Sequence, residues 1–345
     1  MKKPTPERKS RPFKTIFYFL GLLLLLGGTA YLSTALTDKD EDKSFTESFK
    51  KNYRIYALTL PDEIDFAGES VPMELDEIRE KLDREMLVNT YWQSQTLLFI
   101  KRSNKYFPQI EKILKEEGVP EDFKYLSIIE SGFRNVVSPS GAAGFWQFLR
   151  STGPDFGLEV NEEVDERYHL EKATRAACKY LKDAKENYGS WTLAAASYNM
   201  GQNGLSRQLD RQKVGNYYDL LLNEETSRYV FRILAVKTIL QNPEEYGFNF
   251  RKQDLYTSTA TTTLTVDTAI ADLADFAMQQ GGTYNVLKAF NPWLRKNYLK
   301  NPGKKKYQIE WPVKSELSRW VADPAAVEMF MEQEKAKPAQ KTAPK

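Results

Sequence analysis

The chain has 345 residues, 41% hydrophobic and 13% aromatic, enough to bury a large core and to form more than one structural unit. Its formal net charge is +2, yet the first fourteen residues hold six basic side chains against Glu7, leaving 43 basic and 46 acidic residues for the rest. A body so close to neutral gives no electrostatic reason to expect a nucleic-acid partner. One cysteine, Cys178, and one histidine, His169, exclude an internal disulfide and the usual zinc sites, and leave only His169 for any Ser-His-Asp triad. Acid–base chemistry therefore falls chiefly to carboxylates and tyrosines, and no cofactor or metal is called for.

Lys2, Lys3, Arg8, Lys9, Arg11 and Lys14 crowd a basic tail, residues 1–12, onto an apolar segment, residues 13–36. That segment carries no charge after Lys14, and its core runs Ile16-Phe-Tyr-Phe-Leu-Gly-Leu-Leu-Leu-Leu-Leu26. It is long enough to cross a bilayer as a helix. The flanking charges should stay cytoplasmic, so the bulk of the chain is exported. An uncleaved anchor in the inner membrane is the expectation; a signal peptide cut near Ser33-Thr-Ala35 is the rival reading. No cysteine is near enough for lipid attachment.

Residues 37–71 read as a linker, opening on the charged run Thr37-Asp-Lys-Asp-Glu-Asp-Lys43, with an extended piece expected at Arg54–Leu60. From Met73 the periodicity turns helical, with Leu75, Ile78, Leu82 and Met86 at three- and four-residue spacing, continuing toward Ile100. A second helix is expected from Phe107 to the stop signal Gly118, which closes a helical part at 72–119. Pro120-Glu-Asp122 then starts a short apolar helix that ends at Glu130, followed by the loop Ser138-Pro-Ser-Gly-Ala-Ala-Gly-Phe-Trp-Gln147. A carboxylate ending an apolar helix against an aromatic-rich loop is placed to be held protonated by desolvation, as a general acid must be. A solvated helix-end glutamate is the plain alternative.

His169, in Asp165-Glu-Arg-Tyr-His-Leu170, stands at a helix start, and Cys178 lies among small residues where a packed thiol acts as a small hydrophobe. Helices are expected at Leu170–Tyr188, Trp191–Asn199 and Ser227–Gln241. In the second, Asn199 and Gly201 are ordinary helix-stop residues, so Tyr198 and Asn199 have a purely structural reading; in the third, so does Tyr229, as a core aromatic. Further on, the β-branched run Thr257–Val266 favours a strand, Ala269–Met278 and Tyr284–Ala289 favour helices, Phe290–Trp293 a turn, and Tyr307–Pro312 a partner strand. This unit, 250–333, loosely resembles a LysM-type wall-binding module without a clear LysM repeat. Residues 334–345, rich in Lys, Ala and Pro, are expected to lack structure.

Taken in order, Glu130-Ser131, Gly141-Ala-Ala-Gly-Phe-Trp-Gln147, Ala196-Ser-Tyr-Asn-Met-Gly201, Glu225 and Tyr229 resemble the successive motifs of the soluble-lytic-transglycosylase family. The likeness covers roughly residues 72–245, with a catalytic domain expected at 120–246. Ser197 and Met200 depart from it, standing where the family more often has alanine. The resemblance implies a mainly α fold: a lysozyme-like helical catalytic domain, an N-terminal transmembrane helix and a small α+β C-terminal appendage. It implies cleavage of the β-1,4 bond between N-acetylmuramic acid and N-acetylglucosamine, with Glu130 as acid and then base. Ser131, Gly144, Phe145, Trp146, Gln147, Tyr198, Asn199, Glu225 and Tyr229 are the implied substrate contacts. The implied partners are peptidoglycan strands and the inner membrane, with a monomer as the default. A lysozyme-type hydrolase using Asp155, Asp165 or Glu225 as a second carboxylate, and a non-catalytic wall-binding scaffold, stay open beside it.

Overall fold

The computed structural model describes residues 43–48, 51 and 55–336. The chain divides into two compact units at Ala57. In the first, residues 43–48 are helical; the basic tail and the apolar segment 13–36 lie outside the described residues. Among the described residues no helix is long and apolar enough to cross a membrane.

The second unit begins inside the stretch expected to be linker. Residues 55–60 form no strand, but β1 (Asp65–Phe66) and β2 (Glu69–Ser70) pair antiparallel as a tight hairpin. The linker expectation fails here because the hairpin is anchored: Phe66 is fully enclosed against the ring of Phe123, and the Ala67 amide donates to Asp122. Asp65 and Asp122 both take the Lys237 ammonium, at 3.2 and 2.7 Å.

Helix α1 spans Asp76–Tyr91 and α2 spans Gln93–Glu117. One continuous helix toward Ile100 was expected, yet the chain breaks at Trp92, where ψ swings to 54° and the side chain stays exposed. Helix α2 runs on through Pro108. Pro108 and Asn104 are both on its exposed face, where water can take the carbonyl that a proline leaves without a donor. Helix α3, Phe123–Ser131, sets Lys124, Ser127, Glu130 and Ser131 along one side and is apolar elsewhere, and it is buried along most of its length.

Residues 133–169 cross the surface through two single-turn helices, Gly153–Phe156 and Glu166–Tyr168, before α4 (Leu170–Tyr188), α5 (Trp191–Met200), α6 (Gln202–Gln212) and α7 (Glu224–Gln241). Side chains fix the starts: Ser190 accepts from the Leu193 amide and Asn223 from the Thr226 amide. Asn223 moves the start of α7 three residues ahead of the expected Ser227. Ala194, Ala195 and Ala196 present no bulk, so α5 seats closely on α4 and α7. Helix α7 buries Val230, Phe231, Ile233, Leu234, Val236 and Ile239, each contributing about 1.5–3 kcal/mol.

Glu69 joins the hairpin to α5. Its carboxylate accepts from the Trp191 and Thr192 amides and from the hydroxyls of Ser190 and Thr192, all between 2.6 and 2.9 Å. Burial alone would raise its pKa; these donors at a helix N-terminus outweigh burial and bring it down to about 2. A depressed carboxylate stabilises the fold above its unfolded value of 4.5 and loses that contribution as pH falls toward about 2. Glu69→Gln is therefore expected to cost about 1–2 kcal/mol in urea unfolding at pH 7 and about a quarter of that near pH 2.5.

The C-terminal part is a two-stranded sheet with two helices between its strands: β3 (Thr261–Val266), α8 (Leu273–Gln279), α9 (Tyr284–Phe290) and β4 (Tyr307–Pro312). The strands are antiparallel, Thr261 opposite Pro312 and Val266 opposite Tyr307. After α10 (Lys314–Leu317), helix α11 (Pro324–Ala336) runs into the stretch from 334 expected to lack structure; residues 337–345 lie outside the described residues.

This part is not loosely tethered. A second hydrophobic core joins Leu273, Val286, Leu287, Leu294 and Ile309 to Ala143, Val164 and Tyr168 of the surface crossing. Val164 bridges Leu294 as a strand pair, the Asp165 amide donates to Trp293 O at 2.9 Å, and the Arg295 amide donates to Glu163 O at 2.7 Å. Main-chain bonds together with a shared core hold the two parts in one orientation.

Candidate active site

Glu130 occupies the last turn of α3, just before Gly132, which closes the helix in the left-handed conformation at φ 58°. A helix C-terminus presents unpaired carbonyls and a partial negative charge. Two guanidinium groups answer it: Arg232 donates to Ile129 O at 3.0 Å and Arg102 donates to Gly132 O at 2.9 Å. The Glu130 carboxyl accepts a short hydrogen bond from the Tyr229 hydroxyl, on the buried face of α7. Burial pushes the carboxyl up to about 7, helped by the charge of Glu225 and opposed by the Tyr229 hydrogen bond and by Arg232. Desolvation thus favours the protonated form of this carboxyl more than it would in a solvated helix-end glutamate.

The loop beside it is held rigid from beneath. Ala143 pairs with both Val137 and Phe148 as single β-bridges, and Arg167 donates to Gly141 O and Phe148 O at 2.9 and 3.0 Å. Arg167 is itself fixed by a buried two-point contact with Asp165, 2.7 Å at its closer end. Gly144 has φ 79° and its α-carbon rides directly on the Arg167 carbonyl, so that no side chain fits there. Trp146 is fully enclosed, its indole N–H donating to Thr174 at 2.9 Å, and Phe145 packs between Tyr106 and Phe133.

This changes the expected roles of four residues. Gly144, Phe145 and Trp146 are the loop's anchors rather than a surface presented to substrate. The Ser131 hydroxyl is buried and donates to Phe145 O at 2.9 Å, which ties the loop to α3 and leaves no proton for a sugar. Gln147 stays half-accessible in a left-handed conformation at φ 49°. Its amide nitrogen bonds Gly144 O at 2.7 Å, and its amide oxygen has no partner among the described residues. Such backbone strain, held by the surrounding bonds, is characteristic of functional loops.

Opposite the loop, Tyr198 donates to Trp146 O at 2.8 Å and packs edge-on against Tyr180. Asn199 donates to Glu225 at 3.0 Å and accepts from Thr226 at 2.8 Å. Glu225 is exposed, one turn before Tyr229. The structure thus gathers Glu130, Gln147, Tyr198, Asn199, Glu225 and Tyr229 around one loop.

Comparison with known proteins identifies the unit that carries Glu130, Gln147, Tyr198 and Asn199; Glu225 and Tyr229 follow the matched residues. Residues 107–220 match the Transglycosylase SLT domain, and residues 262–315 match the soluble lytic transglycosylase C-terminal LysM-like domain. The chain carries an SLT domain. It is similar to membrane-bound lytic murein transglycosylase D from Escherichia coli strain K12, with 30% identity over 243 residues, and equally to that of E. coli O6:H1 strain CFT073. The aligned part is 68% of this chain and 52% of each relative, so the chain spans about half their length. The LysM-like match covers β3 through β4, giving a family to a segment that the sequence only loosely suggested.

Within the SLT domain, the residues set aside by composition stay aside. Burial holds the Cys178 thiol up at about 12, which makes it inert. Burial and the Lys172 charge bring His169 down to about 4, and its ring packs on Trp293 at the seam with the LysM-like part. Asp165 is consumed by Arg167. Sequence reading missed Arg232 and Arg102. Arg232 follows Tyr229 by three positions, the spacing that puts two side chains on one helix face, and that was the available signal. Arg102 sits thirty positions before Gly132 with no local pattern to mark it.

Proposed function

We propose that the protein is a lytic transglycosylase, cleaving the β-1,4 bond between N-acetylmuramic acid and N-acetylglucosamine in peptidoglycan. The observation that carries this reading is the Glu130 carboxyl, half-buried at the end of α3 beside the aromatic loop, bonded to Tyr229 and raised to about 7 by desolvation. The SLT domain and the names of the relatives support it. Protonated Glu130 gives its proton to the glycosidic oxygen as the C1–O bond breaks and C1 becomes oxocarbenium-like. The carboxylate then takes the proton of the muramic acid C6 hydroxyl, whose oxygen bonds to C1. The products are a free 4-hydroxyl and a 1,6-anhydro end, and no water is consumed. Because the nucleophile belongs to the substrate, its attack is intramolecular and one carboxylate suffices.

In this reading Gln147, Tyr198 and Asn199 line the sugar subsites, Tyr229 sets the proton affinity of Glu130, and Ser131, Gly144, Phe145 and Trp146 position the loop. The apolar segment 13–36 anchors the chain in the inner membrane with the SLT domain in the periplasm, as the word membrane-bound in the relatives' names suggests for them.

Digestion of purified peptidoglycan followed by mass spectrometry tests the reaction. Anhydro-muropeptides, one water lighter than hydrolysed ones, are expected. Reducing ends would instead establish the hydrolase alternative, for which Glu225 is the best-placed second carboxylate because its charge acts on Glu130. Binding without cleavage would leave a scaffold.

Tyr229→Phe removes a hydrogen bond that favours the Glu130 carboxylate, so it raises the Glu130 pKa further. The alkaline limb of the rate profile, near pH 7 in the unaltered protein, should move to higher pH, with turnover down about tenfold. A limb that stays in place, or moves down, would detach Tyr229 from the reacting carboxyl.

A further inference from the structure

Away from the loop cleft, a cavity of about 530 Å³ opens between α2 of the SLT domain and the segments flanking the LysM-like part. Three cations line it, Arg102, Lys105 and Arg319, and no carboxylate does. Arg319 is shared with Glu316. Arg102 and Lys105 have no carboxylate partner among the described residues: Arg102 bonds only Gly132 O, and the Lys105 ammonium rests 5.1 Å from the Tyr106 ring and 5.9 Å from the Trp320 ring. Two half-buried cations without anions, converging on one cavity with a third, form a place where an anion is favoured.

The remaining lining points to an organic anion. Tyr106, Phe133, Tyr256 and Trp320 supply aromatic faces, and Thr257 and Thr259 bring hydroxyls. Thr257, Ser258 and Thr259 run as irregular chain ahead of β3, and their amides have no hydrogen-bond partner among the described residues. Free main-chain donors, aromatic walls and cations together suit a short peptide with free carboxylates better than a simple inorganic ion.

We propose that this cavity is a second binding site, for a short carboxylate-bearing peptide; resting on the function proposed above, that peptide is the one borne by muramic acid in the wall polymer. Arg102 ties the cavity to Gly132, two positions beyond Glu130, so an occupant sits beside the end of the helix that carries the acid. The wall is then read at two points, its sugars at the loop cleft and its peptide at the seam with the LysM-like part.

The test is a calorimetric titration of the full chain carrying Glu130→Gln, which binds without turnover. The probes are a synthetic wall tetrapeptide with free carboxylates, the same peptide fully amidated, and inorganic phosphate. The free acid is expected to bind, with the amide and phosphate each weaker by at least about tenfold. Lys105→Glu combined with Arg319→Glu should weaken the free acid by a similar factor, and the milder Lys105→Ala with Arg319→Ala should do so in the same direction. Circular dichroism confirms that each variant is folded. Equal binding of acid and amide, equal binding of phosphate, no binding of any probe, or indifference of both variant pairs would overturn the proposal. None of these outcomes depends on cleavage, which the muropeptide masses report separately.

Discussion

Glu130→Gln is expected to abolish cleavage, by at least about 10²–10⁴-fold, while making the folded protein more stable above neutrality. Glutamine keeps the volume of the side chain and can still accept from Tyr229, so the fold and sugar binding should persist. The stability gain follows from the raised pKa. Between 4.5, the ordinary value, and about 7, the unfolded chain releases the Glu130 proton while the folded one still holds it. Stability therefore falls as pH rises through that window, and above it the protein carries the full cost of a buried carboxylate. The variant carries none of that cost. Urea unfolding at pH 8 should show it more stable by about 1–3 kcal/mol, with the gap closing near pH 4.5. Comparable turnover by the variant would remove Glu130 from the reaction. A gap that does not grow with pH would mean that its carboxyl is not desolvated.

The second large effect belongs to Gly144. A β-carbon there would lie 1.8 Å from the Arg167 carbonyl oxygen, which is main chain and cannot turn aside, and φ of 79° is strained for any L side chain. Arg167 cannot yield either, since its guanidinium holds Gly141, Phe148 and Asp165. Gly144→Ala should cost more than about 3 kcal/mol or expel the loop, with loss of activity in either case. Gly141 supplies the control: φ is similar at 82° but the space beside it is open, so Gly141→Ala should cost only about 1 kcal/mol. Chemical unfolding of both variants reads the difference. Equal losses would show that backbone strain, and not the close approach, accounts for the effect.

The catalytic and LysM-like parts share a core, which bears on how the cleft is kept open. Val164 and Tyr168 share a core with β4 and α9, and Asp165 faces both ways: its amide donates to Trp293 O and its carboxylate holds Arg167, which supports the loop. The LysM-like part is therefore a structural partner of the loop, and the segments on either side of it bring one wall of the cavity.

Much of the helical order was legible in the sequence because periodicity and caps are local. Helix α4 has the expected bounds, and α5 overruns its expected end by one residue, since Ser190, Gly189 and Gly201 signal through their own backbone preferences. The strand pair was legible for the same reason, as Thr and Val runs favour the extended chain and Tyr307–Pro312 alternates buried with less buried positions. The break at Trp92 was not legible, because α1 and α2 are both amphipathic and the turn between them contains no glycine or proline. The hairpin at 65–70 was missed because its anchors, Phe123, Asp122, Lys237 and the start of α5, are remote in sequence.

The sequence by itself determined which chemistry this protein has available: carboxylates and tyrosines, one inert thiol, one packed histidine, and an ordered motif series that names a family. Only the tertiary structure decided what those residues are for. Ser131 and Trp146, expected to contact substrate, bond within the scaffold, to Phe145 O and Thr174, whereas Arg232 and Arg102, which no local pattern marked, bond the last carbonyls of the helix that carries Glu130. Glu130 acquires its raised proton affinity from burial, which outweighs the opposing hydrogen bond from Tyr229, ninety-nine positions away. Desolvation and pairing are properties of a place, made by several distant segments at once, and no local pattern carries them.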